Sequence, residues 1–510
     1  MKHLLPLLAL LALASARAAD KPNIIVIMAD DLGYGDVSCY GATKVKTPNI
    51  DRLASEGRRF TDAHSASSVC TPSRYALLTG EYPFRRNLWG PVMNPSPLVV
   101  DTARTTVASL LKREGYATAI FGKWHLGFGS QPRPDWNTEL KPGPLELGFD
   151  HYFGIPVVNS HPPFVWVEDH RVVGLDPADP LVYGGQAVTQ PFQEKMMSPP
   201  MSGAKAAHAL YREEEHGTTL TEKATAWMRA HKSGPFFLYF ATPHIHHPFT
   251  PGAKFKGSSG AGRYGDFIQE FDWMVGELMR TLDELQLREN TLVILTSDNG
   301  GMLNQGGQGA VKAGHRLNGD LLGFKFDAWE GGHRVPFIAR WPRKIPAGAV
   351  SDQLICQVDF LATFAALTGA KLAPGEARDS LNILPALTGT PVQAIRNELV
   401  VSPHRSTHLA LREGSWIYIG ARGGGGFGGT KPGDHDLGGP AALKFAGQVH
   451  SDIGDGKFKP AAPDEQLYDL AADPRQQRNV IREHPEIAAR LKARLAILRA
   501  EAAAYQKPNP

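Results

Sequence analysis

The sequence predicts an α/β fold: a large, mostly parallel mixed sheet sandwiched by helices, followed by a smaller C-terminal α+β subdomain. Three observations carry that expectation. Four short apolar runs, Asn23 to Met28, Ala117 to Phe121, Pro235 to Phe240 and Thr291 to Leu295, read as strands buried on both faces. Between them lie helical patterns, clearest in Ile268, Phe271, Val275, Leu278, Leu282 and Leu285, whose alternating steps mark one apolar helix face. Past about residue 385 the texture changes. Strand-like Leu409 to Arg412 and Ser415 to Ile419 precede a flexible glycine-rich loop at Gly423 to Gly429, and Pro485 to Tyr505 carries Ile487, Leu491, Leu495 and Leu498 on one helical face.

Each element narrows the function. A short basic start, Lys2 and His3, leads into an apolar run from Leu4 to Ala14 and then the small-residue pattern Ala16-Arg17-Ala18. That is the pattern of a secretory signal peptide, too short for a permanent membrane span, so residues 1–19 are expected to be removed and the mature chain to be exported, periplasmic or secreted. A net charge of +3 offers no reason to expect nucleic acid or membrane binding. The three cysteines, Cys39, Cys70 and Cys356, have no metal-type spacing. They allow one disulfide, between Cys39 and Cys356, or three buried thiols.

The segments just past the strand ends carry the chemistry: Asp30-Asp31 after the first, Lys123-Trp124-His125 after the second, His244, His246 and His247 after the third, Asp298-Asn299 after the fourth. In open α/β sheets ligands bind beyond the carboxyl ends of strands. Singly, Asp-Asp and Asp-Asn-Gly are ordinary turn residues. Together they form an oxygen-only donor set suited to a hard divalent cation, calcium before zinc. One histidine of the third segment could act as acid or base near neutral pH. Lys325, before Gly331-Gly332, reads as a salt-bridge partner or an anion clamp ahead of a turn and a further strand. At Cys70, Thr71 is expected to cap a helix that Pro72 begins, and the helix start with Arg74 one turn on would favour an anion. A thiolate of depressed pKa is one possibility there, yet a soft thiolate matches hard oxygen ligands poorly.

The stretch Cys70-Thr-Pro-Ser-Arg74 followed by Leu78-Thr79-Gly80 resembles the signature of type I sulfatases, of the alkaline phosphatase superfamily. The likeness continues through Asn23 to Asp36, Thr47 to Asp51, Gly122 to His125, Thr296 to Gly300, Trp329 to Gly332 and Gln466 to Leu470. The resemblance implies an alkaline-phosphatase-like catalytic domain at 20–385, with 386–510 as the C-terminal subdomain. It implies a sulfuric ester hydrolase in which Cys70 is converted to Cα-formylglycine by a formylglycine-generating or anaerobic maturation enzyme. The hydrate would bind a Ca2+ ion held by Asp30, Asp31, Asp298 and Asn299 and attack sulfur, a sulfated enzyme then losing sulfate by elimination. By the same resemblance Arg74 and Lys123 hold the hydrate and the charge on the metal side, His125 takes the diol proton, His244 meets the leaving group with His246 as the other candidate, and Lys325 clamps the sulfate. Gly262 to Asp266, before the long helix, resembles the branch containing arylsulfatase A and N-acetylgalactosamine-6-sulfatase, which implies a sulfated carbohydrate, a 6-sulfated galactose or N-acetylgalactosamine unit among them. Two rivals keep most of these residues: a phosphonate or phosphodiester hydrolase of the same superfamily, and an inactive sulfoglycan-binding protein in which Cys70 stays a thiol.

Overall fold

The computed structural model describes residues 21–184 and 200–505, so the expected leader at 1–19 lies outside the described residues. The main sheet contains β1 (Asn23–Ala29), β2 (Arg58–Phe60), β3 (Ala117–Lys123), β4 (His151–Ile155), β5 (Val167–Glu168), β6 (Arg171–Val172), β7 (Phe236–Ala241), β8 (Thr291–Ser297), β9 (Phe337–Arg340) and β10 (Ala349–Ser351). Their spatial order is β10-β2-β9-β8-β1-β7-β3-β4-β5-β6. The central strands β8, β1, β7, β3 and β4 pair in parallel. Antiparallel partners flank them, β9 beside β8 and β5 beside β4, which makes the sheet mixed.

The apolar runs become the central strands because both faces of the sheet are covered. Every residue of β1 is buried. Ile24, Val26 and Met28 face one helical layer, which includes α1 (Cys70–Thr79) and the helices Val107–Arg113 and Phe360–Thr368. Ile25, Ile27 and Ala29 face the other, built from α2 (Gly262–Glu284) and the helices Pro48–Ser55 and His216–Ala230. Each such aliphatic side chain stabilises the fold by about 1.5–3 kcal/mol on leaving water. In α2 the predicted apolar face is buried from Ile268 to Leu282, while Leu285 falls just past the helix end. The Gly262 to Asp266 stretch opens this helix rather than preceding it.

The helices α3 (Gln305–Lys312) and α4 (Glu330–His333) precede β9. Gly331 and Gly332 therefore belong to a one-turn helix, not the expected turn, and each lies against backbone of residues 322–329, where a Cβ would clash. The smaller C-terminal unit is an antiparallel sheet of β11 (Glu398–Val401), β12 (Ala410–Glu413), β13 (Trp416–Ile419) and β14 (Gln466–Asp469), packed against α5 (Pro485–Tyr505). All three cysteines are free thiols, Cys70 and Cys356 buried and Cys39 half-buried, so the disulfide reading is corrected. Among the described residues no helix is long and apolar enough to cross a membrane.

Candidate active site

The carboxyl ends of β1, β3, β7 and β8 converge on one rim. There Asp30, Asp31 and Asp298 bring carboxylate oxygens within 4.8 Å of one another, all three residues buried. Their mutual repulsion is met by three buried cations. Lys123 Nζ donates to Asp30 Oδ2 at 2.6 Å, Lys325 Nζ donates to Asp31 Oδ1, and Arg74 donates to Asp298 Oδ2 from Nε at 3.0 Å and Nη2 at 2.8 Å. Arg74 Nη1 also donates to the carbonyl of Lys123 at 3.1 Å, tying α1 to the end of β3. Burial alone would lower the Lys325 ammonium pKa, but Asp31, Cys70 and Asp30 hold it above the ordinary lysine range. Asp298 is raised by burial and then by Asp30, against the pull of Arg74.

The donor set fits a hard divalent cation on two further grounds. Asp30 Oδ1 and Asn299 Oδ1 are buried and accept no hydrogen bond. Asn299 is meanwhile oriented by its Nδ2, which donates to Asp31 Oδ1 at 2.8 Å and to the Gly300 carbonyl at 2.9 Å, leaving its oxygen for another partner. Backbone strain gathers at the same place. Asp31, His125 and Phe326 occupy the left-handed region, with φ of 62°, 57° and 77°, a conformation that costs non-glycine residues about 1–3 kcal/mol.

Cys70 is the first residue of α1, and Val69 is its cap position. The expected capping role of Thr71 is corrected: its hydroxyl donates to the His125 carbonyl at 2.8 Å and accepts from the Val92 N–H at 3.1 Å. Pro72 falls third in the helix, still in the first turn, where its missing N–H deprives no carbonyl of a partner. The expectation of a depressed thiol pKa is corrected as well, because burial raises it and outweighs the lowering by Lys123 and Lys325.

Cys70 opens onto a cavity of about 210 Å³ whose walls include His125, His246, Lys325, Phe326 and Phe427. His125 Nε2 lies 2.9 Å from the Val92 carbonyl, so Nε2 carries the hydrogen and Nδ1, without a hydrogen-bond partner, keeps its lone pair. Burial and then Lys123, Arg74 and Lys325 hold the ring neutral, well below the usual histidine pKa. His246 is likewise held low by burial, His247 and Lys325. Its Nδ1 lies 2.7 Å from the His247 carbonyl, which leaves Nε2 toward the rim, 3.9 Å from Asp31 Oδ2.

The structure places His244 outside the wall of the cavity at Cys70. His244 is fully buried against Phe267, with ring centroids 4.1 Å apart and Nε2 3.6 Å from Glu270 Oε2, and it takes no part in the cavity wall. The other site residues named from the sequence, Cys70, Arg74, Lys123, His125, Lys325, Asp30, Asp31, Asp298 and Asn299, come together at the rim. Sequence reasoning missed Met93, His161, Met302, Phe326, His435 and Asp436 in the cavity wall. They lie on loops without periodicity, whereas Phe427, also in the wall, belongs to the glycine-rich run at Gly423 to Gly429.

Comparison with known proteins places this rim in context. The family model described as Sulfatase matches residues 22–370. The chain is 39% identical over 497 residues to an N-acetylgalactosamine-6-O-sulfatase of Bacteroides thetaiotaomicron, covering 92% of this chain and 91% of that protein. It is 38% identical over 397 residues to bovine (Bos taurus) arylsulfatase A, covering 74% and 70%. Among solved structures, one concerning metabolism of multiple glycosaminoglycans by Bacteroides thetaiotaomicron superposes with a TM-score of 0.82 at 38% identity, over 94% of this chain and all of that one. A phosphonate monoester hydrolase of Agrobacterium radiobacter shares the fold alone, at 18% identity and a TM-score of 0.58, over 94% and 96% of the two chains.

Proposed function

The chain belongs to the sulfatase family and is a sulfuric ester hydrolase; from that premise we propose that it removes sulfate from a sulfated carbohydrate, a 6-sulfated N-acetylgalactosamine or galactose unit. The observation that carries the reading is the meeting of Cys70, Lys325, His125 and His246 around one cavity beside the Asp30, Asp31 and Asp298 cluster. The substrate class is supported by the relative whose name specifies N-acetylgalactosamine 6-O-sulfate chemistry, which covers nearly the whole chain.

Cys70 is proposed to be matured to Cα-formylglycine, whose hydrate supplies a hard hydroxyl nucleophile for sulfur. Asp30, Asp31, Asp298 and Asn299 are proposed to hold Ca2+, which supplies positive charge where the sulfate oxygens and the nucleophile meet. The chain's own groups do the rest. Lys325 holds a sulfate oxygen and offsets the charge that builds during S–O cleavage, while Lys123 and Arg74 donate hydrogen bonds to Asp30 and Asp298 and hold them in place. His125 accepts a proton at Nδ1. His246, in place of His244, turns Nε2 toward the rim, where it would meet the leaving-group oxygen. Catalysis is assigned to residues 20–385, with 386–510 adding Phe427, His435 and Asp436 to the wall. Export rests on the first residues, and the maturation enzyme is the partner that the chemistry of Cys70 requires.

The test is sulfate release from 6-sulfated N-acetylgalactosamine and 6-sulfated galactose beside turnover of an aryl phosphodiester, using enzyme made with a maturation partner. Sulfate release that disappears in Cys70→Ala is expected. Faster phosphodiester turnover would sink the substrate reading.

A further inference from the structure

A second cavity, of about 330 Å³, adjoins the one at Cys70, and the two share His247 and His435 in their walls. That common wall is built rather than incidental. Gln305 Nε2 donates to the Gly433 carbonyl at 2.9 Å, Gln308 Nε2 donates to the Asp434 carbonyl at 2.8 Å, and the Gly433 N–H donates to Gln308 Oε1 at 2.7 Å. The loop bearing His435 is thus pinned to α3 through Gly433 and Asp434.

The second cavity is lined by groups with spare capacity for a ligand. Glu213 is only 8% exposed, yet its Oε1 accepts no hydrogen bond. Burial pushes this carboxyl up to about 7, so near neutral pH it repels an anion less than an exposed glutamate would. Arg263 is exposed and has no carboxylate partner among the described residues. It is the second residue of α2, a long helix whose N-terminal dipole adds to its positive charge. Asn304 and Gln305 complete the polar lining.

We infer that this second cavity is a subsite for the sugar next to the sulfated one, and that this neighbouring unit is acidic, its anionic group facing Arg263 and a hydroxyl donating to Glu213. The inference rests on the sulfatase reading and deepens it: the preferred substrate is an anionic oligosaccharide rather than a single sulfated sugar. The anionic group is a carboxylate or a second sulfate ester, which present the same oxygen chemistry to a guanidinium.

Kinetics with the matured enzyme test this. The probes are 6-sulfated N-acetylgalactosamine alone, the same sugar linked on either side to a hexuronate, the carboxyl-reduced forms of those disaccharides, and disaccharides with a second sulfate on a neutral neighbour. At least one charged disaccharide should exceed its neutral counterpart in kcat/KM by roughly fivefold, as expected of an ion pair near the surface. The better of the two charged classes identifies the anion. Arg263→Ala should abolish the preference and Arg263→Lys should retain most of it, with Glu213→Gln raising KM for the disaccharide. Equal kcat/KM for charged and neutral disaccharides in the unmodified enzyme overturns the subsite, as does a preference that persists in Arg263→Ala. Failure to release sulfate from every one of these sugars tells instead against the underlying substrate reading.

Discussion

The setting of Cys70 argues against use of the residue as an ordinary thiol. It starts a helix beside two lysines and an arginine, yet burial raises its pKa, so a thiolate would be scarce there. The tryptic peptide from Phe60 to Arg74, taken from enzyme made with a maturation partner, is therefore expected to carry oxygen in place of the Cys70 sulfur and two hydrogens fewer; an unchanged cysteine would restore the binding-protein rival. Asp298→Ala should leave a folded protein without sulfatase activity, as judged by circular dichroism and sulfate release, because it removes the acceptor of Arg74 together with one oxygen of the acidic cluster. A third residue ties the site to pH. Asp327 accepts from the Phe324 N–H at 2.9 Å and the Gly426 N–H at 3.2 Å, and burial pushes its carboxyl from 3.8 to about 7. The folded state thus favours the protonated acid. Its stabilising contribution is complete below about 3.8 and is lost as pH rises through about 7. Denaturant unfolding at several pH values should show this slope in the unmodified protein and a flatter one in Asp327→Asn.

The strand ends act as the mounting for these residues, and glycine sets how closely they approach. Gly122, just before Lys123, has φ of +117°, and a Cβ there would lie 2.0 Å from the Ala241 carbonyl oxygen in the adjacent β7. Gly154 in β4 faces the Gly122 carbonyl, where a Cβ would lie 1.7 Å away. Gly122→Ala must therefore push β3 from its neighbours and strain the backbone at once. It is expected to cost about 1–3 kcal/mol in stability and to lower kcat by shifting Lys123 from Asp30. Thermal unfolding and sulfate release check both, and an unchanged kcat would separate Lys123 from catalysis.

Across the whole molecule, the C-terminal sheet is bonded to the segment that leads into α1. Arg412 of β12 donates to Asp62 from Nη1 at 2.8 Å and from Nη2 at 2.7 Å, and Asp62 in turn contacts His64 Nε2 at 2.8 Å. Removing one partner of a mostly buried ion pair leaves the other charge uncompensated, so Arg412→Ala should lower unfolding free energy by about 3–5 kcal/mol. A loss below about 1 kcal/mol would mark the pair as an ordinary surface contact. Metal binding should act at the same scale. Ca2+ that binds the folded acidic cluster and not the unfolded chain is expected to raise the unfolding midpoint, by about 2.7 kcal/mol of stability at a hundredfold excess over Kd. Asp31→Asn should blunt this shift, and an identical shift in that variant would locate the ion elsewhere.

Sequence by itself determined the α/β class, four of the five central strands, the face of α2 and the position of Cys70 at a helix start with acidic residues at the strand ends. These are readable because side-chain periodicity and strand-end position are local properties, set by residues a few places apart. Only the tertiary structure decided which residues share a cavity. Lys325 reaches Asp31 from 294 positions away, His246 rather than His244 lines the cavity, and Phe427, His435 and Asp436 reach it from the C-terminal subdomain. Such meetings depend on how sheet pairing and loop packing close long stretches of chain. Neither composition nor spacing records them, because loop residues carry no period to read.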